Sequence, residues 1–417
     1  MYRFETTEFV KEKILSVLFL LALIIVQCSE QPEEKEALWA VAVHYNGSKY
    51  AGSESCRTCH ADIYADHLYT AHHQTSASAD RENIKGSFAS GEQEVAINDR
   101  ITYRMVEQDS QLYQAAYVNG RYVAKAPFDI VVGSGAKGQS YLYWFRDKLN
   151  QLPVSYQTAG DQWILSPGYQ EDQVDFGREV IPTCLTCHTT FAKNGDPRDY
   201  FSNAYERQEV LLGVDCESCH GPSWAHADFH LKHPEAREPR QVLEIPSLSR
   251  QQRLDACAKC HSGLREPLQQ PFAFQTGDLL ADFSEAAYQP EEAGTLDVHG
   301  NQYGLLTASR CFQLSDAMDC STCHDPHRRE RDNLKAFSTR CMNCHEGTSF
   351  CKMGAELGAS ITDNCIDCHM PRLPSAGVLM QNTSTGSIDS LQVRTHRIAV
   401  YEEASQQVIR FIKDLKQ

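Results

Sequence analysis

The chain has 417 residues, enough for two or three domains, and carries 55 Asp and Glu against 39 Lys and Arg, a formal charge of −16. So acidic a balance excludes a nucleic-acid binder, which needs a basic face, and a single short apolar run excludes a multispan membrane protein. The count that stands out is 17 Cys beside 17 His, which a chain seldom carries without metal or redox work for the thiols.

The apolar run, Ile14 to Val26, is preceded by Lys11 and Lys13 and ends at Gln27-Cys28. It is shorter than the about 20 residues a membrane-spanning helix needs and fits the hydrophobic region of an export signal. Residues 1–27 are therefore expected to be a signal peptide, with Cys28 the candidate for lipid attachment after cleavage. Ile25, Val26 and Gln27 stand where bacterial lipoproteins usually carry a small residue, and the other reading of the segment is an N-terminal anchor. Residues 28–48 open on the acidic stretch Ser29 to Glu36 and read as a tether holding a domain off a membrane. On either reading the chain is exported, periplasmic or at the cell surface, and on the first it is held to a membrane as a lipoprotein.

Cys56-x-x-Cys59-His60 follows in residues 49–80. This is the attachment signature of c-type haem: two thiols add across the vinyl groups, and the adjacent His becomes the proximal iron ligand. A helix is predicted over Ala61 to His73. With its rise of 1.5 Å per residue, His72 would stand roughly 18 Å from His60 and would have to serve another haem.

Residues 81–180 contain no cysteine and read as a small β-rich insert. Ile101, Tyr103 and Met105 alternate with polar neighbours, as on a half-buried strand. Asn119-Gly120 lies between two strand-like runs, a strong hairpin signal. Strands are also predicted over Ser140 to Phe145 and Leu152 to Tyr156. Gly133 to Ser140 nearly matches a phosphate-binding loop, but Gln139 replaces the required Lys and a strand follows where that motif needs a helix, so it reads as a turn.

Six more Cys-x-x-Cys-His motifs follow. Cys184-Cys187-His188, Cys216-Cys219-His220 and Cys257-Cys260-His261 fall in residues 181–270. A connecting segment occupies 271–310. Cys320-Cys323-His324, Cys341-Cys344-His345 and Cys365-Cys368-His369 fall in 311–400. A C-terminal helix, with Val408, Phe411, Ile412 and Leu415 at helical spacing, is expected over 401–417. Zinc ribbons also use paired Cys-x-x-Cys units, but they do not need a His after every pair. A disulfide framework has no reason to fix that spacing at all. Seven covalently attached haem c groups are therefore expected. Roughly 56 residues per haem are too few for a conventional core as well, so the haems must lie close together and supply much of the core.

Ten histidines remain for the sixth iron positions: His44, His67, His72, His73, His226, His230, His233, His299, His327 and His396. His72 at the predicted helix end, His226 beyond Gly221-Pro222, His327 after Asp325-Pro326 and His396 after a Ser/Thr/Gly-rich loop are the favoured distal ligands. His299, before Gly300, is a further candidate. Of His44, His67, His73, His230 and His233, two are expected to serve. Methionine is scarce, and Met–His ligation is what raises haem potentials, so a low-potential bis-His set is expected. Cys311 and Cys351 lie outside every motif. A disulfide between them is expected, because free thiols in an oxidising compartment are exposed to oxidation.

Several stretches resemble the multihaem c-type cytochromes grouped around the tetrahaem cytochrome of nitrifiers and the doubled Cys-x-x-Cys-His proteins. They are Ile63-Tyr64 with Thr70-Ala71-His72, Cys216 to Pro222 with His226, Cys323-His324-Asp325-Pro326-His327, and Cys368-His369-Met370-Pro371 with His396-Arg397-Ile398. Gly133 to Gly135 with Ser140 to Leu142, Leu152 to Val154 and Ser166 to Tyr169 resemble the segment between haems in that class. The resemblance implies distal roles for the histidines at these positions. The expected fold is a mainly α and irregular multihaem cytochrome with short helices around stacked haems, few long elements and the inserted β-rich domain. The expected function is electron transfer between redox partner proteins, or to or from a quinol-linked membrane complex, through a row of bis-His haems. The alternative is an oxidoreductase with one open haem acting on a small nitrogen or sulfur compound. All seven motifs end in His, unlike the Lys-type active haem of nitrite-reducing relatives.

Overall fold

In the computed structural model, residues 39–287, 300–345, 351–381 and 388–414 are described. The export segment, Cys28, most of the tether, His299 and Leu415 lie outside them. Among the described residues no helix is long and apolar enough to cross a membrane.

The β-rich insert is two sheets packed face to face. Glu94–Ala96, Ile101–Gln108, Gln111–Val118 and Arg121–Pro127 form a four-stranded antiparallel meander. The predicted turn joins its last two strands with Asn119 at φ 50° and Gly120 at φ 73°, the positive pair that a two-residue hairpin loop demands. The second sheet runs in the order Gln162–Leu165, Val154–Gln157, Gly138–Phe145, Ile130–Val132, Ser76–Ser78, and Lys148–Gln151 also pairs with Gly138–Phe145. The phosphate-loop look-alike is the turn between Ile130–Val132 and Gly138–Phe145. Buried Tyr103, Met105, Phe128, Tyr141, Leu152 and Trp163 fill the space between the sheets. Gln114, fully buried, crosses it: its amide donates to the Val154 carbonyl at 2.6 Å and accepts from Val154 N at 2.9 Å. A buried amide is tolerated there because both its ends are satisfied.

The second sheet is apolar on both faces. Alternation along the strands turns Val131 and Tyr141 toward the first sheet, and their neighbours Ile130 and Leu142 toward Leu185, Ala192 and Tyr205. That far face holds the second haem motif. The edge strand Ser76–Ser78 fixes the join, with Ser76 Oγ donating to the His188 carbonyl at 2.6 Å.

Beyond the insert the chain is less helical than the composition of its motifs suggested. About 28% of the described residues are helical and 26% are in strands, so the fold is mixed rather than mainly α. The extra strands are antiparallel hairpins between motifs: Thr189–Asn194 with Tyr205–Leu212, Arg265–Pro267 with Ser284–Ala286, and Arg372–Gln381 with Ile388–Arg394. The first forms because Thr189, Thr190, Phe191 and Ala192 are all buried, which a one-sided helix could not achieve. The helix predicted over Ala61 to His73 is also shorter, ending at His67. Thr70 ends it: its hydroxyl donates to the His67 carbonyl at 2.7 Å and accepts from His73 N at 3.2 Å. A three-residue turn, His73–Thr75, follows. The C-terminal helix is Glu402–Asp414.

Candidate functional site

The motifs close tight turns, although in the second His188 N bonds the Leu185 carbonyl at 2.9 Å rather than that of its first Cys. The amide of the motif His bonds the carbonyl of the first Cys at 2.9 Å in His60, 3.0 Å in His324 and His345, and 3.1 Å in His369. Residues four apart in such a turn share a face, so the first thiol and the imidazole point the same way. The third motif lies in the helix Cys216–His220, and the fourth ends the longer helix Arg250–His261. That helix starts on a full capping box from Ser249 and Gln252. Asp319 caps the fifth motif in the same manner and also accepts from Arg253 Nε at 2.6 Å, tying the fourth motif to the fifth.

The motifs are brought together through their thiols. Cys56 neighbours Cys216, Cys187 neighbours Cys260, and Cys257 neighbours Cys320. These sulfurs are free thiols here and stand where thioethers would form.

Four histidine pairs face each other across gaps of one size. The ring centres of His60 and His226 are 6.4 Å apart, those of His220 and His327 6.2 Å, those of His324 and His396 6.2 Å, and those of His261 and His72 6.1 Å. A metal–imidazole bond is about 2 Å and a ring centre lies about 1.1 Å from its own nitrogen, so two rings bound to opposite sides of one metal have centres about 6 Å apart. Direct ring packing does not require so uniform a gap. The donor set therefore fits haem iron, with a motif His on one side and a non-motif His on the other. The planes are inclined by 18°, 15° and 28° in the first three pairs and by 61° in the last.

The second nitrogen of several rings is already engaged. His226 Nδ1 donates to the Arg240 carbonyl at 2.7 Å, His369 Nδ1 to the Ala399 carbonyl at 2.9 Å, and His188 Nδ1 lies 3.0 Å from the Thr75 hydroxyl. Such partners fix the tautomer and leave Nε2 to a metal. Burial, with the nearby His261, pushes His72 down to about 4, and burial, with His324, does the same to His396. Burial also lowers His188, His220, His261 and His324. Neutral imidazole is the form that binds metal.

The other histidines divide. His44 is buried and used at both nitrogens, by the Phe272 carbonyl at 2.8 Å and Asn46 N at 3.2 Å. His67 and His73 both turn to Asp215, at 3.0 and 2.8 Å. His233 lies by Glu235 at 3.6 Å. His230 packs edge-on against His226 at 4.7 Å, its Nε2 buried with no hydrogen-bond partner.

One positioning residue left no mark in the sequence. Glu217, inside the third motif, is buried, and its carboxylate accepts from Ala51 N at 2.9 Å, Gly52 N at 2.8 Å and Ser223 N at 2.7 Å. It holds the residues leading into the first motif and those leading to His226. Burial pushes its carboxyl up, against three backbone donors that lower it.

Cys311 and Cys351 are not paired: both are free thiols, facing different motifs. Cys311 neighbours Cys344 and Cys323, whereas Cys351 neighbours Cys365 and Cys368. Alkylation of the denatured, unreduced protein is expected to label both, and a mass two hydrogens short with neither labelled would contradict this arrangement.

Residues 166–221 match the family described as cytochrome c554 and c-prime. The matched stretch contains the second and third motifs, and it is multihaem c-type cytochrome in kind, with covalent haem c implied. No curated protein matches the chain. Among solved structures, the crystal structure of outer cell wall cytochrome OcwA aligns with 82% of this chain and 82% of its own, at 16% identity and a TM-score of 0.49.

Proposed function

We propose that the chain is an exported heptahaem c-type cytochrome that carries electrons between redox partners and transforms no substrate. The observation that supports it best is the set of four facing imidazole pairs. Haem so ligated supplies a one-electron couple with no vacant iron position. The chain's own part is to fix the ligands, exclude water and hold neighbouring groups close. His60, His220, His261 and His324 would be proximal ligands opposite His226, His327, His72 and His396. His188, His345 and His369 would be proximal in the other three motifs.

The thiol contacts support a connected row. They make neighbours of the first and third groups, the second and fourth, and the fourth and fifth. Electrostatic neighbours Cys219–Cys257 join the third group to the fourth, and Cys323–Cys344 and Cys341–Cys365 extend the row to the sixth and seventh. The fourth group is then a junction with the second on a side branch. Export, lipid attachment at Cys28 and exchange with redox proteins or a quinol-linked complex rest on the N-terminal reading.

Intact mass of the exported protein is expected to exceed the apoprotein by seven haem masses, and five or fewer would defeat the heptahaem reading. Electron paramagnetic resonance of the oxidised protein tests the function. Low-spin signals should dominate, with the crossed His72–His261 pair giving a more anisotropic signal than the three nearly parallel pairs. Carbon monoxide should bind little of the reduced protein. Rapid turnover of nitrite or hydroxylamine would replace this reading with the oxidoreductase one.

A further inference from the structure

Away from the motif imidazoles, three donor atoms converge: His67 Nε2, His73 Nδ1 and Asp215 Oδ1, all within 4.8 Å of one another. We propose that they bind one divalent cation of the zinc class, with a fourth coordination position left to water.

Two chain segments 142 residues apart build the cluster, and each is bent toward it. His67 is the last residue of its helix and buried. Thr70, by ending that helix, brings His73 back beside it. Asp215 stands before the third motif where Asp319 stands before the fifth, yet the two carboxylates behave differently. Asp319 caps its helix, whereas Asp215 makes no side-chain cap and turns to the two imidazoles instead. Its backbone is held by Asp215 N donating to the Thr190 hydroxyl at 2.8 Å, and its side chain also bonds Ser53.

Asp215 Oδ1 lies 3.0 Å from His67 Nε2 and 2.8 Å from His73 Nδ1. Tetrahedral ligands about 2.0–2.1 Å from zinc stand about 3.3 Å from one another, so the two Asp215–imidazole distances need open by only a few tenths of an ångström, with the two imidazole nitrogens already within 4.8 Å. The surrounding partners suit a ligand role. The Thr70 hydroxyl gives its own hydrogen to the His67 carbonyl, which leaves its lone pair for His67 Nδ1–H at 3.4 Å. That orients the ring with Nε2 toward the site. Two imidazoles and one carboxylate select a borderline transition metal over magnesium or calcium. Asp215 also lines a cavity of about 390 Å³ with Ser53, Glu54 and Tyr64, which provides a path for entry. The ion would sit one residue from Cys216 and one from His72, adding positive charge among the first, third and fourth motifs. The nearby groups would then be easier to reduce.

The test uses haem-loaded protein treated with a chelator and titrated with zinc chloride. One saturable site per chain is expected, with a zinc-edge X-ray absorption spectrum showing only nitrogen and oxygen neighbours. Midpoint potentials should rise on zinc addition. Asp215→Asn and His67→Gln should each weaken binding at least tenfold and abolish the potential shift while retaining seven haems. If either variant loses haem, His73→Gln, at a ring a third exposed, replaces it with the same expectation. The proposal is overturned if no saturable site appears, if the variants bind as the parent does, or if a sulfur shell near about 2.3 Å assigns the zinc to cysteine.

Discussion

Replacing His226 with Ala is expected to convert one haem of seven from low spin to high spin. A new carbon monoxide complex should appear in the reduced protein, equal to about one seventh of the haem. The affected group is the one attached through Cys56 and Cys59, because His226 faces His60 and not the His220 of its own neighbouring motif. The Arg240 carbonyl loses its donor in the same step. External imidazole should restore the low-spin signal, since the cavity left by the ring is the size of the reagent. His230, four residues on in the helix Trp224–Lys232 and 4.7 Å away, is the imidazole placed to swing into the vacancy. The double variant with His230→Ala therefore separates substitution by a neighbour from absence of a ligand role. A low-spin spectrum unchanged in both variants would remove His226 from the ligand set.

Glu217→Ala is expected to lower the thermal midpoint of the haem-loaded protein by more than any exposed charge substitution. Three backbone N–H groups lose their acceptor at once. A buried donor left unpaired costs about 1–3 kcal/mol, so the combined loss is about 3 kcal/mol or more even after allowing for relief of the buried carboxylate. Glu217→Gln should be intermediate. Its carbonyl oxygen can serve Ala51 and Ser223, which share Oε1, while its NH2 meets Gly52 N–H donor to donor. Because Glu217 holds both the lead into the first motif and the lead into His226, the Ala variant should also broaden the low-spin signal of that one haem. An unfolding curve matching the parent's would show that these bonds contribute nothing net.

What could be read without coordinates follows a physical division. Covalent attachment fixes Cys and His at short spacing, so the motifs were legible outright. The strands of the insert were legible too, because Ile101, Tyr103 and Met105 show their period and Asn119-Gly120 its turn. His72 stands at a predicted helix end and His226, His327 and His396 after a turn or loop, and each faces a motif histidine. Their pairing was not legible, since it depends on segments that meet only after folding: His396 lies 72 residues from His324. The helix from Ala61 stops at His67 rather than His73, and a Thr hydroxyl that turns back on the backbone looks, in sequence, like any helix residue. Glu217 occupies a variable position of its motif, and nothing local tells a buried carboxylate there from an exposed one. Cys311 and Cys351 are near in sequence to the same pair of motifs, yet they are turned toward different ones.

The facing imidazoles also bear on how such a molecule is made. His226 and His327 each lie beyond the motif they complete, and His396, almost at the end of the chain, faces His324. A polypeptide threaded outward from its N-terminus would present early motifs for thioether formation long before their opposite ligands had emerged. Attachment and ligation are thus separated in time, and the fifth group stays half-coordinated until the last few dozen residues are through. On the heptahaem proposal, a chain interrupted between residues 369 and 396 would carry every covalent group yet keep the fifth iron open on one side.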